Sequence, residues 1–215
     1  MIGKKDLRLY FIMGSINTNQ DPAHVLQRAI DGGITVFQYR EKGSNALTGT
    51  EKLELGMTLR HVCQKNNIPF VVNDDINLAI KLHADGVHIG QQDDSIIKVR
   101  ENLPARMSIG VSVSTVEEAH IAEKQGADYL GVGPIFSTST KADAREPIGI
   151  ERVREIAAIT SLPLVAVGGI KKENAREIMN AGATGISVVS AISQAENCAG
   201  SAEELAAVTR LREVE

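Results

Sequence analysis

Polar side chains that could bind phosphate lie at the end of a short apolar run near residue 40. Gln38, Arg40 and Lys42 alternate along the chain there. Because residues two apart in a strand point to the same side, one amide and two cations would face the same way. That set suits an anion, most simply a diphosphate. The alternative is a structural ring of ion pairs, in which Arg40 meets Glu41 or another acid.

Acidic residues end the next two apolar runs. Asn73, Asp74 and Asp75 follow one of them, and Asp93 follows the other. Asn73 could donate to a ring nitrogen or a phosphate oxygen. Mg²⁺ is bound in proteins by one or two carboxylates together with substrate phosphates and water, so Asp93 with Asp74 or Asp75 could hold it. Asp75 is better placed as a helix N-cap, and the whole Asn-Asp-Asp segment could be only a loop and cap.

A second phosphate zone is predicted from the later runs. Gly168-Gly169 and Ser190 follow the last two of them, and barrels commonly bind phosphate after strands seven and eight. The hydroxyl-rich segment 137–141 could be either a phosphate-binding lid or a solvated loop. Ser112 could donate to phosphate or be a plain strand-end serine, and no base beside it marks it as a nucleophile. His88, a lone histidine in a strand, is expected to be packed and hydrogen-bonded.

The elements that must position these residues alternate regularly between strand and helix. Short β-branched runs are separated by amphipathic helical stretches, which predicts parallel strands with right-handed crossovers. Eight nearly equal units favour an α/β fold of the (β/α)8 TIM barrel type, a single domain over residues 1–215, rather than an open doubly wound sheet. The runs are 9–13, 36–40, 70–73, 86–90, 108–112, 129–133, 164–168 and 185–190.

A weak internal repeat supports the barrel. Segments 31–36, 126–130 and 182–186 share a Gly at a helix end, a small residue and then a strand, and 84–88 is a looser copy. They precede the even-numbered runs. The glycine is expected to end each helix in the left-handed conformation.

Bulk properties exclude some classes of protein. The net charge of −4 and the pI of about 5.8 argue against nucleic-acid binding through a basic face. No apolar run reaches the length of a membrane span, and no signal-type stretch opens the chain, so we expect no membrane association and a cytoplasmic location. Two distant cysteines predict free thiols. The oligomeric state stays open.

In order and combination, these motifs resemble thiamine-phosphate synthases over about residues 8–194. Several of the motifs are generic when taken alone. The segments that carry the resemblance are 38–42, 72–74, 88–93, 110–112, 131–136, 138–141, 168–170 and 190–192.

The resemblance implies an enzyme with two phosphorylated small-molecule substrates and Mg²⁺. It would join 4-amino-2-methyl-5-(hydroxymethyl)pyrimidine diphosphate to 4-methyl-5-(2-phosphooxyethyl)thiazole, giving thiamine phosphate and diphosphate. The implied chemistry is dissociative, and Asp74 and Asp93 would hold the metal. Arg40, Lys42, Ser112 and Lys141 would act directly on the pyrimidine diphosphate.

The same resemblance implies the substrate contacts. The pyrimidine diphosphate would meet the segment Gln38, Tyr39, Arg40, Glu41 and Lys42, together with Asn73, Ser112 and Lys141. The thiazole phosphate would meet Thr138, Ser139, Thr140, Gly169, Val189 and Ser190. Ser139 stands where family members often carry a larger polar residue, so that contact would be through its backbone.

Two other functions compete with the synthase. A thiazole tautomerase would share the barrel and the thiazole-phosphate end but typically lacks the full diphosphate and metal set, whereas Arg40, Lys42, Asp74, Asp93 and Lys141 are all present here. A non-catalytic phosphate-ligand sensor would need the second zone but no pair of carboxylates. The sequence favours the synthase.

Overall fold

The computed structural model describes residues 1–138, 140 and 145–210 and shows a closed barrel of parallel strands. The strands follow one another around the barrel in chain order, and β8 closes it by pairing with β1. This confirms the predicted TIM barrel. The strands are β1 Leu9–Met13, β2 Val36–Tyr39, β3 Phe70–Asn73, β4 Gly86–Ile89, β5 Ser108–Val113, β6 Tyr129–Val132, β7 Leu164–Val167 and β8 Gly185–Val188.

Helices cover the outside of the barrel. None of the helices among the described residues is long and apolar enough to cross a membrane. Their bounds are α1 Pro22–Asp31, α2 Gly49–Lys65, α3 Ile76–Lys81, α4 Ile96–Asn102, α5 Val116–Lys124, α6 Gly149–Ile159, α7 Lys172–Asn180, α8 Ser190–Ser193 and α9 Cys198–Thr209.

Four predicted strands are one residue too long, and the last is two residues too long. The run 185–190 was expected to be extended throughout, but β8 ends at Val188 and Ser190 already begins α8. Val189 makes the break because its backbone, at φ −119° and ψ −86°, leaves the extended region. The turn carries Ser190 to the rim of the barrel instead of along its wall.

Side-chain N-caps begin several of the helices, and the one predicted at Asp75 is confirmed. The carboxylates of Asp21 and Asp75 accept from the backbone N–H groups of His24 and Leu78, at 2.7 and 2.9 Å, and the Thr115 hydroxyl accepts from Glu118 N–H. The capping box is incomplete at Thr115, because the Glu118 carboxylate accepts from Ser114 N–H, one residue before the N-cap. Each cap pairs a donor that the first helical turn leaves unpaired.

The internal repeat proves to be a hydrogen-bonding device at the N-terminal rim of the barrel. The side chain of the residue just before each even-numbered strand accepts a hydrogen bond from a backbone N–H at the start of the odd-numbered strand before it. In return, the backbone N–H of the accepting residue donates to the backbone carbonyl of the donating one. The four pairs, backbone donor first, are Leu9–Thr35 at 2.9 Å, Phe70–Asp85 at 2.8 Å, Ile109–Asp128 at 2.7 Å and Leu164–Thr184 at 3.1 Å.

The left-handed residues of the repeat also fall as expected. Gly33, Gly126 and Gly182 have φ values between 90° and 109°. In the looser copy the left-handed residue is His83, at φ 49°, which explains why the glycine pattern fades there. The repeat therefore ends a helix and fixes the next strand at one rim, leaving the opposite rim for function.

Two apolar cores lie on the two sides of the barrel wall. The large one packs strand residues such as Leu9, Phe37 and Leu130 against the helices. The small one is a separate cluster inside the barrel and includes Tyr10 and Tyr129. Strand alternation separates the two sets, because successive side chains point to opposite faces.

Replacing Thr184 with Val tests the N-terminal rim. The variant leaves Leu164 N–H without its side-chain acceptor, so we expect the free energy of unfolding to fall by about 1–3 kcal/mol. Thr58→Val, on the exposed side of α2, is the matched control and should change stability by less than about 0.5 kcal/mol. Chemical denaturation measures both, and equal losses in the two variants would contradict the assigned role.

Candidate active site at the C-terminal rim

The C-terminal ends of the strands surround a cavity of about 770 Å³. This is the rim at which α/β barrels carry their active sites. Most of the predicted site residues within the described part of the chain line this cavity. They are Arg40, Lys42, Asp93, Ser112, Thr138, Thr140, Gly169, Val189 and Ser190.

The first zone of the cavity combines cations with carboxylates. Lys42 Nζ donates to Asp74 Oδ2 at 2.7 Å, and this hydrogen bond raises the pKa of Lys42 above its ordinary value. Arg40 lines the cavity beside Lys42. Lys42 therefore stays charged, and a diphosphate entering here would meet two cations.

The backbone aims the Asp74 carboxylate. Asp74 follows β3 with a φ of 58°, a left-handed conformation that Asp tolerates better than most residues. Its N–H donates to the carbonyl of His88 at 2.9 Å, which ties it to β4. Asp75, the next residue, caps α3 and pairs with Lys52 at 2.8 Å, so its carboxylate is used outside the cavity. Asp74 does not itself line the cavity, but its carboxylate faces Lys42, which does. Its contact with a metal remains a prediction.

Asp93 completes the pair of carboxylates. Its Oδ2 accepts from Gly90 N–H at 2.7 Å, which holds the turn after β4. Partial burial raises the pKa of Asp93, and the negative charge of Asp74 raises it further. The two carboxylates are therefore near neighbours that repel each other, and a cation between them would remove that repulsion.

The donor set fits a hard divalent cation such as magnesium or manganese. Among the residues that the structure describes, no three His, Cys, Asp or Glu side chains are grouped to hold a metal. Two carboxylates alone are the ordinary protein share of a Mg²⁺ site, since phosphates and water complete it. Zinc, which prefers three or four protein nitrogen and sulfur ligands, does not fit.

The second zone lies on the other side of the cavity, after β7 and β8. Gly168 and Gly169 have φ values of 103° and 63°, a region that favours glycine. A Cβ at Gly168 would clash with Pro134 and one at Gly169 with Phe136, so the two glycines let the loop after β6 pack against this turn. Both glycines line the cavity. Val189 and Ser190 line the same zone.

The polar loop after β6 completes this side of the cavity. Thr138 and Thr140 line it, and Thr140 N–H donates to the Thr138 hydroxyl. Ser139 and Lys141, which were also predicted here, lie outside the described residues.

Four predicted contacts do not line the cavity. The Gln38 amide is buried and donates to the Tyr10 hydroxyl at 2.8 Å. Tyr39 is buried on the helix side of the wall, where its hydroxyl donates to the Lys52 carbonyl. Glu41 accepts from Ser15 and Leu47 N–H and so holds two loops together.

Asn73 is the fourth of these residues. It ends β3 partly exposed, beside His88 of β4, and lies next to the cavity without lining it. The contacts of all four residues with substrate remain predictions. The side chains of Tyr39 and Glu41 are already engaged by protein groups away from the cavity.

Sequence reasoning missed several residues that line the cavity. Arg145 does so while pairing with Glu118 at 2.7 Å, and Lys171 does so after β7. Ser187 lines the floor of the cavity, and its buried hydroxyl has no hydrogen-bond partner among the described residues. Alternation along β8 places Ser187 two residues before Val189, so the strand pattern could have found it.

Comparison with known proteins identifies the family. The family model described as thiamine monophosphate synthase matches residues 9–192. The chain belongs to this family. It is 50% identical over 203 residues to a thiamine-phosphate synthase of Bacillus cereus, covering 94% of this chain and 92% of that protein.

Other relatives agree. The thiamine-phosphate synthase of Oceanobacillus iheyensis is 49% identical, covering 90% of this chain and 94% of that protein. The solved structure of thiamine phosphate pyrophosphorylase from Pyrococcus furiosus is 38% identical with a TM-score of 0.86, covering 96% of this chain and 97% of that one. The protein is thus an enzyme of thiamine biosynthesis that acts on small molecules, as the resemblance implied.

A more distant structure shares the fold alone. The 3-hexulose-6-phosphate synthase of Salmonella typhimurium is 17% identical with a TM-score of 0.69, over 94% of this chain and 98% of that one. The likeness supports the barrel and says nothing about the reaction.

Asp93→Asn tests the pair of carboxylates without requiring turnover. The amide keeps an acceptor for Gly90 N–H but removes the charge, so we expect Mn²⁺ binding in the presence of diphosphate to weaken at least about tenfold. Asp94→Asn is the control, because the Asp94 carboxylate pairs with Lys98 at 2.6 Å on the exposed side of the same turn. Electron paramagnetic resonance of Mn²⁺ measures both, and unchanged binding in Asp93→Asn would remove Asp93 from the site.

Proposed function

We propose that the protein condenses 4-amino-2-methyl-5-(hydroxymethyl)pyrimidine diphosphate with 4-methyl-5-(2-phosphooxyethyl)thiazole. The products are thiamine phosphate and diphosphate, and Mg²⁺ assists. The observation that carries the proposal is a single cavity with two separate phosphate zones, Arg40 and Lys42 with two carboxylates on one side and Gly169 and Ser190 on the other. Family membership supports it.

The residues divide between the two substrates. The pyrimidine diphosphate takes the first zone, where Arg40, Lys42 and Ser112 face it, with Asn73 beside them and Lys141 from the loop after β6. The thiazole phosphate takes the second zone, with contacts from Thr138, Ser139, Thr140, Gly169, Val189 and Ser190. Gln38 supports the pyrimidine site from below.

The reaction needs charge stabilisation more than a protein nucleophile. The C–O bond to diphosphate breaks first and leaves a cation that the pyrimidine stabilises, and the thiazole nitrogen then forms the new C–N bond. Arg40 and Lys42 stabilise the negative charge that develops on the departing diphosphate. Asp74 and Asp93 would hold Mg²⁺, which supplies further neutralisation of that charge.

The cavity contributes proximity. Because each substrate is anchored by its phosphate in its own zone, the thiazole nitrogen is held near the carbon that loses diphosphate, and the bimolecular step becomes effectively unimolecular. The first zone also separates this proposal from a thiazole tautomerase, which has no diphosphate to neutralise.

Product formation tests the proposal directly. The protein is mixed with both substrates and Mg²⁺, and thiamine phosphate is sought by mass. We expect product only when all three are present. Folded protein that forms none under these conditions would overturn the proposed reaction.

Arg40→Gln tests the diphosphate zone. A charge-assisted hydrogen bond contributes about 1.5–3 kcal/mol, so we expect kcat/KM for the pyrimidine diphosphate to fall by about 10–150-fold. Arg28→Gln on α1, where Arg28 pairs with Asp31 on the surface, should leave the rate unchanged. A normal rate for Arg40→Gln would show that Arg40 does not contact the diphosphate.

A further inference from the structure

A chain of hydrogen bonds crosses the interior of the barrel and ends at the cavity. Tyr10 and Tyr129 share a hydrogen bond between their hydroxyls at 2.8 Å. The Tyr129 hydroxyl lies 3.2 Å from His88 Nδ1, and His88 Nε2 lies 2.9 Å from the Ser112 hydroxyl. Gln38 begins the chain by donating to Tyr10. Five side chains from five strands are thus connected, and Ser112 lines the cavity.

The inner glycines make room for this chain. A Cβ at Gly110 would lie 2.1 Å from Tyr129 Cζ and 2.6 Å from His88 Nδ1, and one at Gly131 would lie 2.8 Å from His88 Cε1. Those approaches are too short for any side chain. The two glycines therefore define the slot in which the His88 ring and the Tyr129 hydroxyl meet, so the contact is built into the barrel wall.

The direction of the chain follows from counting hydrogens. With the Gln38 amide nitrogen on the Tyr10 side, the Tyr10 oxygen accepts from it, since that nitrogen can only donate. If Tyr129 also donated to Tyr10, the hydrogen of the Tyr10 hydroxyl would be buried without an acceptor, which folded proteins avoid. Tyr10 is 1% exposed, so bulk solvent does not supply that acceptor. Tyr10 therefore donates to Tyr129.

The remaining steps are then fixed. Tyr129 has accepted from Tyr10, so its own hydrogen goes to His88 Nδ1, and the imidazole hydrogen sits on Nε2. His88 Nε2–H donates to the Ser112 oxygen, which leaves the Ser112 hydrogen to be donated elsewhere. Burial raises the pKa of both Tyr10 and Tyr129 well above the ordinary value, so both phenols keep the hydrogens that this direction requires.

We propose that His88 is a positioning residue, held as the Nε2–H tautomer by Tyr10 and Tyr129. It turns the Ser112 hydroxyl into a donor directed at an acceptor atom of the pyrimidine diphosphate. This role rests on the proposed function for the identity of the ligand. The tautomer itself does not, because it is a property of the protein without substrate.

Nitrogen NMR of the protein labelled with ¹⁵N-histidine tests the tautomer. The His88 signals are identified by their absence from the His88→Gln spectrum. We expect a protonated Nε2 and an unprotonated Nδ1 in the ligand-free protein. A protonated Nδ1 would overturn the proposal, whether or not the protein makes thiamine phosphate.

Tyr129→Phe tests whether the Tyr129 hydroxyl sets the His88 tautomer. Removing the phenol hydrogen takes away the donor to Nδ1, so the His88 signals should shift towards a mixture of tautomers. Tyr39→Phe removes a hydroxyl from the other side of the wall and should leave those signals unchanged. Identical His88 signals in Tyr129→Phe and the unaltered protein would show that Tyr129 does not set the tautomer.

A double-mutant cycle connects the tautomer to the reaction. Tyr129→Phe should lower kcat/KM for the pyrimidine diphosphate by about tenfold, the equivalent of one hydrogen bond. In a Ser112→Ala background the same change should have little further effect, because its influence passes through that hydroxyl. An equal fall in both backgrounds would mean that Tyr129 acts through general packing and would contradict the proposed role.

Discussion

Closure of the barrel is the constraint on which the rest of the structure depends. Because β8 pairs with β1, all strands end around one rim, and groups far apart in the chain meet there. Asp74 and Asp93 come from neighbouring strand ends, and Lys42 reaches Asp74 from a third. Pairing of the neighbouring strands β2, β3 and β4 brings these three residues together. Closure adds the ends of β7 and β8, so that both zones border one cavity.

A closed barrel leaves little room in its interior for side chains. Tyr10 and Tyr129 fill its middle, and Gly110 and Gly131 leave the room that the His88 ring requires. Five of the polar side chains there are joined in one hydrogen-bonded chain, which a low-dielectric interior favours. This hydrogen-bonded chain lies below the cavity and orients the polar side chain at its end, Ser112.

The two rims of the barrel have different roles, structural at the N-terminal rim and functional at the C-terminal rim. At the N-terminal rim, Thr and Asp side chains such as Thr35 and Asp128 hold the starts of the odd strands. At the C-terminal rim, two carboxylates are placed close together, and burial together with the charge of Asp74 raises the pKa of Asp93. A bound divalent cation would offset the repulsion between them.

Much of this organisation was predictable from the sequence. Period-two runs separated by helices predicted the barrel, and the polar residues at the strand ends predicted the cavity with its two zones. The outward direction of Tyr39 follows from the same alternation that turns Gln38 and Arg40 inward. Tyr39 entered the predicted site only because the family motif spans residues 38–42.

Other features depend on three-dimensional partners that a sequence pattern does not specify. Nothing near Gln38 in the chain indicates that its amide will donate a hydrogen bond to Tyr10. The end of β8 at Val188 follows from a backbone break at a β-branched residue, which local propensity would have continued as strand. The place of Arg145 at the cavity is evident only once neighbouring elements are packed.

The central claim is that a metal and a diphosphate bind together in the first zone, apart from the second. Crystals grown with Mn²⁺ and diphosphate allow a direct measurement, because the anomalous scattering of manganese locates the ion. The account predicts one peak within coordination distance of both Asp74 and Asp93, with the diphosphate bridging it to Arg40. A manganese peak and diphosphate located instead beside Gly169 and Ser190 would contradict it.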